Sequence, residues 1–214
     1  MTLYVNEIFY SIQGESLYAG MPCVFIRLAG CNLRCSYCDT TYAYAEGKHM
    51  ELFEIKNKIK TFNCNLIEIT GGEPLLQNET NILIDNLITD KYNVLLETNG
   101  TFDISSVNYK CIKIIDIKCP SSGEMNKNNL DNIHRLKRSD QIKFVIGDRE
   151  DFEFAKSLLK DIYLKIPPDH ILFSPVFGKI KPSILADWIL KYNLRVRLQI
   201  QIHKVIWNNI ERGV

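Results

Sequence analysis

The 214-residue chain has no long apolar run: no stretch reaches the roughly 18 residues that a membrane-spanning helix needs. Its opening residues, Met1 to Glu7, hold neither a basic segment nor an apolar one of signal-peptide length, so the chain is expected to be cytoplasmic. An excess of charge of one sign is missing too. Lysine and arginine number 26 against 25 aspartates and glutamates, for a net charge of +1, which is not the footprint of a nucleic-acid or membrane-surface binder. Low-complexity segments, serine-glycine linkers and sequence repeats are absent, and at this length one domain over residues 1–214 is expected. The seven cysteines are an odd number in a chain without a recognisable secretion signal, which argues against a disulfide framework. Nor do they form the paired C-x2-C knuckles of a structural zinc site, since Cys35 and Cys38 are the one such pair.

What the cysteines do form is a triple. Cys31, Cys35 and Cys38 stand at C-x3-C-x2-C in the loop Gly30-Cys31-Asn32-Leu33-Arg34-Cys35-Ser36-Tyr37-Cys38-Asp39-Thr40, directly after the apolar residues 23–29. Three thiolates in one short loop can occupy three corners of a cubane iron-sulfur cluster. The fourth iron then has no cysteine and is open to a small molecule. A zinc site completed by His49 or Cys23 is the alternative use of the same residues. Cys23, Cys64, Cys111 and Cys119 stand singly in or beside apolar runs and read as small buried hydrophobes.

Hydrophobic periodicity predicts strands at residues 3–10, 23–29, 66–70, 94–98, 112–118, 141–146, 171–174 and 194–202. Helices are predicted at 51–62, from Pro74 through Leu87, and at 129–138, 150–162 and 182–192. Strands beginning near 22, 66, 93, 112, 141 and 170 alternate with helices, except across 98–111, which has room for a short turn of helix at most. The expected fold class is α/β, an incomplete (β/α)6 TIM-like barrel with reduced helices. Sites in such barrels lie at the carboxyl ends of the strands. That rule gathers the cysteine loop, Gly71-Gly72-Glu73, Glu97-Thr98-Asn99, Asp116-Ile117-Lys118 and Ser174-Pro175 on one face. Polar strand ends are also ordinary turn formers, so Glu97, Asn99 and Ser174 taken singly carry either reading. Arg27 stands alone in an apolar strand, where it faces solvent or has an anionic partner. On composition, Ser11-Ile12-Gln13-Gly14-Glu15-Ser16 reads as a surface loop.

The cysteine loop, with the aromatic Tyr37 before its third cysteine, resembles the cluster loop of the radical S-adenosylmethionine (SAM) superfamily. Further motifs occur in order along most of the chain: Ser11 to Glu15, Phe25 to Leu28, Cys38-Asp39-Thr40, Thr70-Gly71-Gly72-Glu73-Pro74-Leu75, Glu97 to Thr101 and Pro120-Ser121-Ser122-Gly123. Jointly they resemble the 7-carboxy-7-deazaguanine synthase family of the queuosine and 7-deazapurine pathway. Ser16, where relatives often have glycine, and Tyr37, where they often have tryptophan, depart from the pattern.

The resemblance implies a lyase that converts 6-carboxy-5,6,7,8-tetrahydropterin to 7-carboxy-7-deazaguanine with loss of ammonia. A [4Fe-4S] cluster on Cys31, Cys35 and Cys38 would cleave SAM to a 5'-deoxyadenosyl radical that takes hydrogen from C6 of the pterin, and SAM would be regenerated after ring contraction. It further implies SAM contacts from Tyr37, Cys38, Asp39, Gly72, Asp116, Ile117, Lys118 and Ser174, and a Mg2+ ligand in Thr40. Ile12, Gln13, Gly14, Glu15, Arg27 and Thr70 would line the pterin, so that Arg27 gains an anion, and the carboxylate of Val214 would approach the substrate. A flavodoxin or ferredoxin type electron donor and a homodimer are the implied partners. A glycyl-radical activase would share the cysteines and the Gly-Gly-Glu turn without needing Gln-Gly-Glu or Cys-Asp-Thr. A non-catalytic zinc-binding module is the alternative of another class.

Overall fold

The computed structural model of the chain describes residues 1–208, 210 and 212–214. Thr2–Ile12 (β1) and Pro22–Leu28 (β2) form an antiparallel pair, with Ile8 opposite Ile26 and Phe9 opposite Phe25. Lys48–Glu51 (β3) joins the free edge of β1. From there the chain alternates through Leu52–Lys60 (α1), Leu66–Gly71 (β4), Thr80–Thr89 (α2) and Asn93–Thr98 (β5), and then passes to Ile112–Ile117 (β6) without a helix. Asn132–Arg135 (α3), Gln141–Ile146 (β7), Arg149–Ile162 (α4), Ile171–Pro175 (β8), Pro182–Lys191 (α5), Arg197–Leu198 (β9) and Ile202–Ile206 (α6) complete it.

The strands make one sheet in the order β3-β1-β2-β4-β5-β6-β7-β8-β9, parallel from β2 onward. Its two edges, β3 and β9, are not paired with each other, so the barrel stays open. The six long parallel strands are those predicted, and the gap between β5 and β6 holds no helix, as its length required.

Local chemistry sets the helix ends. A capping box starts α1, where the Glu51 N–H donates to Glu54 Oε2 at 2.7 Å, and Ile55 and Ile59 then fall on its buried face. The Asp151 N–H donates to Asp148 Oδ1 at 3.0 Å to start α4, whose Phe152, Ala155, Leu159 and Ile162 are buried.

Every second strand residue faces the helices or the barrel interior. Ile67, Ile69, Leu96, Ile115, Ile142 and Phe144 join the main core under the helices. On the opposite face a smaller cluster of Phe9, Cys23, Phe25, Leu66, Leu95 and Ile114 plugs the amino end of the barrel. The interior positions beyond this plug are polar, and they make the site.

Three segments differ from the periodicity. The helix expected at 129–138 shrinks to α3 because side chains tie the segment down. Asn132 Nδ2 donates to the carbonyls of Gly100 and Phe102 at 3.0 and 2.7 Å, and Asn128 Nδ2 donates to that of Lys118 at 2.8 Å. The helix expected from Pro74 splits into a single turn, Pro74–Leu76, and α2. At the end of the chain, the alternation over 194–202 yields only the two-residue β9, because the Ile202 N–H turns away to the Gly14 carbonyl at 3.1 Å and α6 begins there. The sequence reading did not contain β3: Lys-His-Met-Glu has no apolar alternation and forms an exposed edge. Among the described residues no helix is long and apolar enough to cross a membrane.

Gly71 ends β4 at φ 148°, and a Cβ there would run into the backbone N and O of Leu28 on β2. Gly71→Ala is expected to lower stability by about 2 kcal/mol or more. Gly20, at φ 90° with open space around it, should cost about 1 kcal/mol when replaced by alanine. Urea unfolding of the two variants checks the ordering.

Candidate active site

A cavity of about 820 Å³ opens at the carboxyl ends of the parallel strands. Of the cluster, SAM, Mg2+ and pterin residues implied by the resemblance, all but Ile117 line it, and so does Val214, while Glu73 of the Gly-Gly-Glu turn lies behind the wall. The Ile117 side chain packs in the main core, which leaves its backbone toward the neighbouring strands.

The cysteine loop is held by bonds from three directions. Asn32 Nδ2 donates to Thr101 Oγ1 at 2.8 Å and Asn32 Oδ1 accepts from Asn99 Nδ2 at 2.9 Å. The Arg34 N–H donates to Glu124 Oε1 at 2.6 Å, and the Ser36 N–H and hydroxyl donate to the Ser122 and Ser121 carbonyls. The Leu33 N–H points at Cys31 Sγ at 3.4 Å, as amides do toward cluster sulfurs. All three thiols are half-buried and free. Burial pushes those of Cys31 and Cys35 up, and they sense each other and Cys38, while the Lys118 ammonium pulls both down.

Gly71-Gly72-Glu73 supports this loop. A Cβ on Gly72 would meet the Gly30 carbonyl and Cys31 Cβ, so only glycine lets the two segments touch. Glu73 is fully buried. Its carboxylate accepts from Thr98 Oγ1 at 2.8 Å and from the N–H groups of Asn99 and Leu75 at 2.7 and 2.9 Å, while its own N–H donates to the Gly30 carbonyl. It thus clamps the ends of β4 and β5 under the cysteine loop.

Buried charges fill the middle of the cavity. Lys143 on β7 reaches Glu15 at 3.0 Å and Asp116 at 3.7 Å, and bonds Glu97 on β5. Its ammonium pKa is pushed well up: burial opposes this, and the three carboxylates outweigh burial. Asp116 also pairs with Lys118 at 2.8 Å through Oδ2, while its buried Oδ1 has no partner among the described residues. Arg27 has an anion within the chain: its Nε donates to Glu7 Oε1 at 2.8 Å, between the rings of Phe9 and Tyr42. Gln13 Nε2 donates to Glu68 Oε2 at 2.5 Å at the cavity floor.

The C-terminal segment roofs the cavity. His203 lies where a Cβ of Gly14 would be, Gln201 Nε2 donates to Glu15 Oε1 at 2.8 Å, and Lys204 pairs with Asp39 at 2.5 Å. Burial pushes the Asp39 carboxyl up, but the Lys204 ammonium outweighs it and holds it at about 2. The Thr40 hydroxyl donates to Asp39 Oδ1 at 3.0 Å. Sequence reasoning missed Glu7, Glu68 and Lys143, whose only signal is a charged residue at an interior-facing strand position. The tail from Gln201 to Val214 resembles the family's end, but the bonds of Gln201 to Glu15 and of Lys204 to Asp39 carry no signal in the sequence. Ser16, the departure from glycine, has φ 64°, the backbone region that glycine adopts freely.

The zinc alternative finds no support in this arrangement. Among the described residues no three His, Cys, Asp or Glu side chains converge on a single ion. His49 lies on edge strand β3 against the Tyr4 ring, and Cys23 sits in the apolar plug at the far end of β2.

Three thiols at the carboxyl end of an open parallel barrel, above a charged cavity, are the arrangement of a radical SAM enzyme, and residues 25–113 match the model of the Radical SAM superfamily. The chain is 45% identical to 7-carboxy-7-deazaguanine synthase of Chlorobaculum tepidum over 215 aligned positions, which span 99% of this chain and 97% of that one. To 7-carboxy-7-deazaguanine synthase of Koribacter versatilis it is 40% identical, over 99% of this chain and all of the relative. The crystal structure of QueE from Escherichia coli has the same fold, with a TM-score of 0.71, 21% identity and 94% of each chain covered. The chain belongs to the 7-carboxy-7-deazaguanine synthase family. It is a radical SAM lyase whose cofactors are a [4Fe-4S] cluster and SAM. The residues present suit both: three free thiols face one cavity, with a backbone N–H on a thiol sulfur, and the orphaned Asp116 oxygen is an acceptor for a cation.

Glu73→Gln would set an amide NH2 against one of the three donors Glu73 now satisfies. The variant is expected to lose about 2 to 3 kcal/mol, although the two side chains are the same size. Urea unfolding of the variant beside wild type measures it.

Proposed function

We propose that this protein converts 6-carboxy-5,6,7,8-tetrahydropterin to 7-carboxy-7-deazaguanine, releasing ammonia, in 7-deazapurine biosynthesis. The observation that carries the reading is the single cavity onto which the three thiols, Gln13-Gly14-Glu15, Arg27 and Thr70 all open.

In this reading Cys31, Cys35 and Cys38 hold the cluster, and the amide of Leu33 steadies a ligating sulfur. When bound, the cluster and SAM supply the 5'-deoxyadenosyl radical that takes hydrogen from the substrate, and SAM is regenerated. Asp116 offers its unpartnered oxygen to the cationic part of SAM, and Lys118 holds the other oxygen of that carboxylate in place. Tyr37, Asp39, Gly72 and Ser174 line the same end, and Ile117 contributes backbone. The Thr40 hydroxyl, on the cavity wall beside Asp39, is an oxygen ligand of the kind Mg2+ takes.

At the other end Ile12, Gln13, Gly14, Glu15, Arg27 and Thr70 surround the pterin. Arg27 keeps its Nε on Glu7, which leaves the two terminal guanidinium nitrogens for the substrate carboxylate. Thr70 Oγ1 donates to Glu97 at 3.3 Å and is thereby oriented within the cavity. The tail excludes water above Gly14 and brings Val214 to the cavity wall. The one-electron reduction calls for a flavodoxin or ferredoxin type donor, and the functional unit is a homodimer in the cytoplasm.

An anaerobic reaction of the reconstituted protein with SAM, reductant, Mg2+ and 6-carboxytetrahydropterin tests this reading, with product followed by mass. The expected result is 7-carboxy-7-deazaguanine formed in many-fold excess over SAM consumed. Cleavage of SAM with the pterin untouched would overturn the substrate assignment.

A further inference from the structure

We propose that Glu68 is a positioning residue for the substrate: it fixes the amide of Gln13 so that one N–H and one carbonyl lone pair face the bound heterocycle side by side. The inference rests on the assignment of Gln13 to the pterin.

Along β4 the residues facing the barrel interior are Leu66, Glu68 and Thr70. Leu66 belongs to the apolar plug and Thr70 to the cavity wall, and Glu68 between them lines the cavity floor, 3% exposed. Its register neighbours are Phe25 on β2 and Leu95 on β5, both apolar. Such a site is a poor one for an acid unless the acid has a task. Its ionic partners are elsewhere: Lys143 goes to Glu15, Glu97 and Asp116, and among the described residues no ion pair reaches Glu68. Burial first, and then the charge of Glu97, push its carboxyl well above the usual range against the pull of the Lys143 ammonium, and its Oε2 is an acceptor.

The bond it accepts comes from Gln13 Nε2 at 2.5 Å, and Gln13 Oε1 accepts the Glu15 N–H at 3.1 Å. These two bonds grip opposite ends of the amide. A flip would set the NH2 group against the Glu15 N–H, donor on donor. An amide has two N–H donors and two carbonyl lone pairs, and one of each is used. What remains is one N–H donor and one carbonyl lone pair on an amide that lines the cavity, which together suit a ring edge with an acceptor beside an N–H. A six-membered amide or amidine ring such as a pterin has such an edge, which makes the Glu68–Gln13 pair a determinant of substrate class.

The test is anaerobic equilibrium binding of 6-carboxytetrahydropterin to cluster- and SAM-loaded enzyme without reductant, so that nothing turns over, together with the KM for SAM in the complete reaction. Glu68→Leu, Glu68→Gln, Gln13→Ala and the Gln13→Ala/Glu68→Leu double variant are compared, each checked for native melting. Glu68→Leu is expected to weaken pterin binding about tenfold and to leave the KM for SAM within about twofold. Glu68→Gln, whose amide carbonyl still accepts, should stay within about threefold of wild type. In the Gln13→Ala background the leucine substitution should have no further effect. Should Glu68→Leu fail to fold, Glu68→Asp withdraws the acceptor from Gln13 by one methylene and takes its place with the same expectation. The proposal is overturned if Gln13→Ala weakens the pterin and Glu68→Leu does not, or if pterin and SAM weaken alike. If Gln13→Ala itself leaves pterin binding unchanged, the assignment of Gln13 falls, and the proposal falls with it.

Discussion

An ammonium and three carboxylates share the interior of the barrel, and the placing of the other cavity groups follows from theirs. Lys143 comes from β7, Glu97 from β5, Asp116 from β6 and Glu15 from the loop after β1, so one cation ties together elements far apart in sequence. Taking these groups out of water costs several kcal/mol per ion, repaid only while all of them are together. Burial alone would push the Glu97 carboxyl up, yet it is held low, because the Lys143 ammonium outweighs burial. From Lys143 the network runs in both directions. Asp116 passes to Lys118, which pulls down the Cys31 and Cys35 thiols, and on the other side it continues as hydrogen bonds, the Glu15 N–H donating to Gln13 Oε1 and Gln13 Nε2 to Glu68.

The same network explains why the C-terminal tail belongs to the site. Glu15 takes a bond from Gln201 as well as from Lys143, and Gly14 beside it leaves the space that His203 fills. Lys204 closes the other side on Asp39. Interior and roof are therefore coupled through a three-residue turn whose glycine has a packing reason to be glycine. On the proposed function the substrate and SAM meet under this roof, where partial exclusion of water strengthens each polar contact.

Much of this was legible in the sequence where the signal is local. The cysteine triple is one loop, and the Gly-Gly-Glu turn and the six parallel strands follow from short-range pattern. Legibility ended where meaning depends on register. Lys143 and Glu68 look like polar interruptions of strands until β7 is set against β6, and β4 against β2 and β5, which turns them inward. Glu73 was visible in its motif, but its work as a clamp on Thr98 and Asn99 needs the neighbouring strand. Arg27 asked for an anion, and the fold supplies Glu7 across the β1–β2 pair. The alternation over 194–202 promised a strand, and the pull of Gly14 on Ile202 ended it early.

The most direct test is the stability of Lys143→Met measured by urea unfolding between pH 8 and pH 5. Without the ammonium, burial raises the Glu97 carboxyl in the folded state, so its cost is greatest at high pH and relieved as the pH falls through the raised value. The account predicts a deficit of about 3 to 5 kcal/mol against wild type at pH 8 that narrows steadily toward pH 5. A variant as stable as wild type at pH 8, or a deficit that does not change with pH, would contradict it.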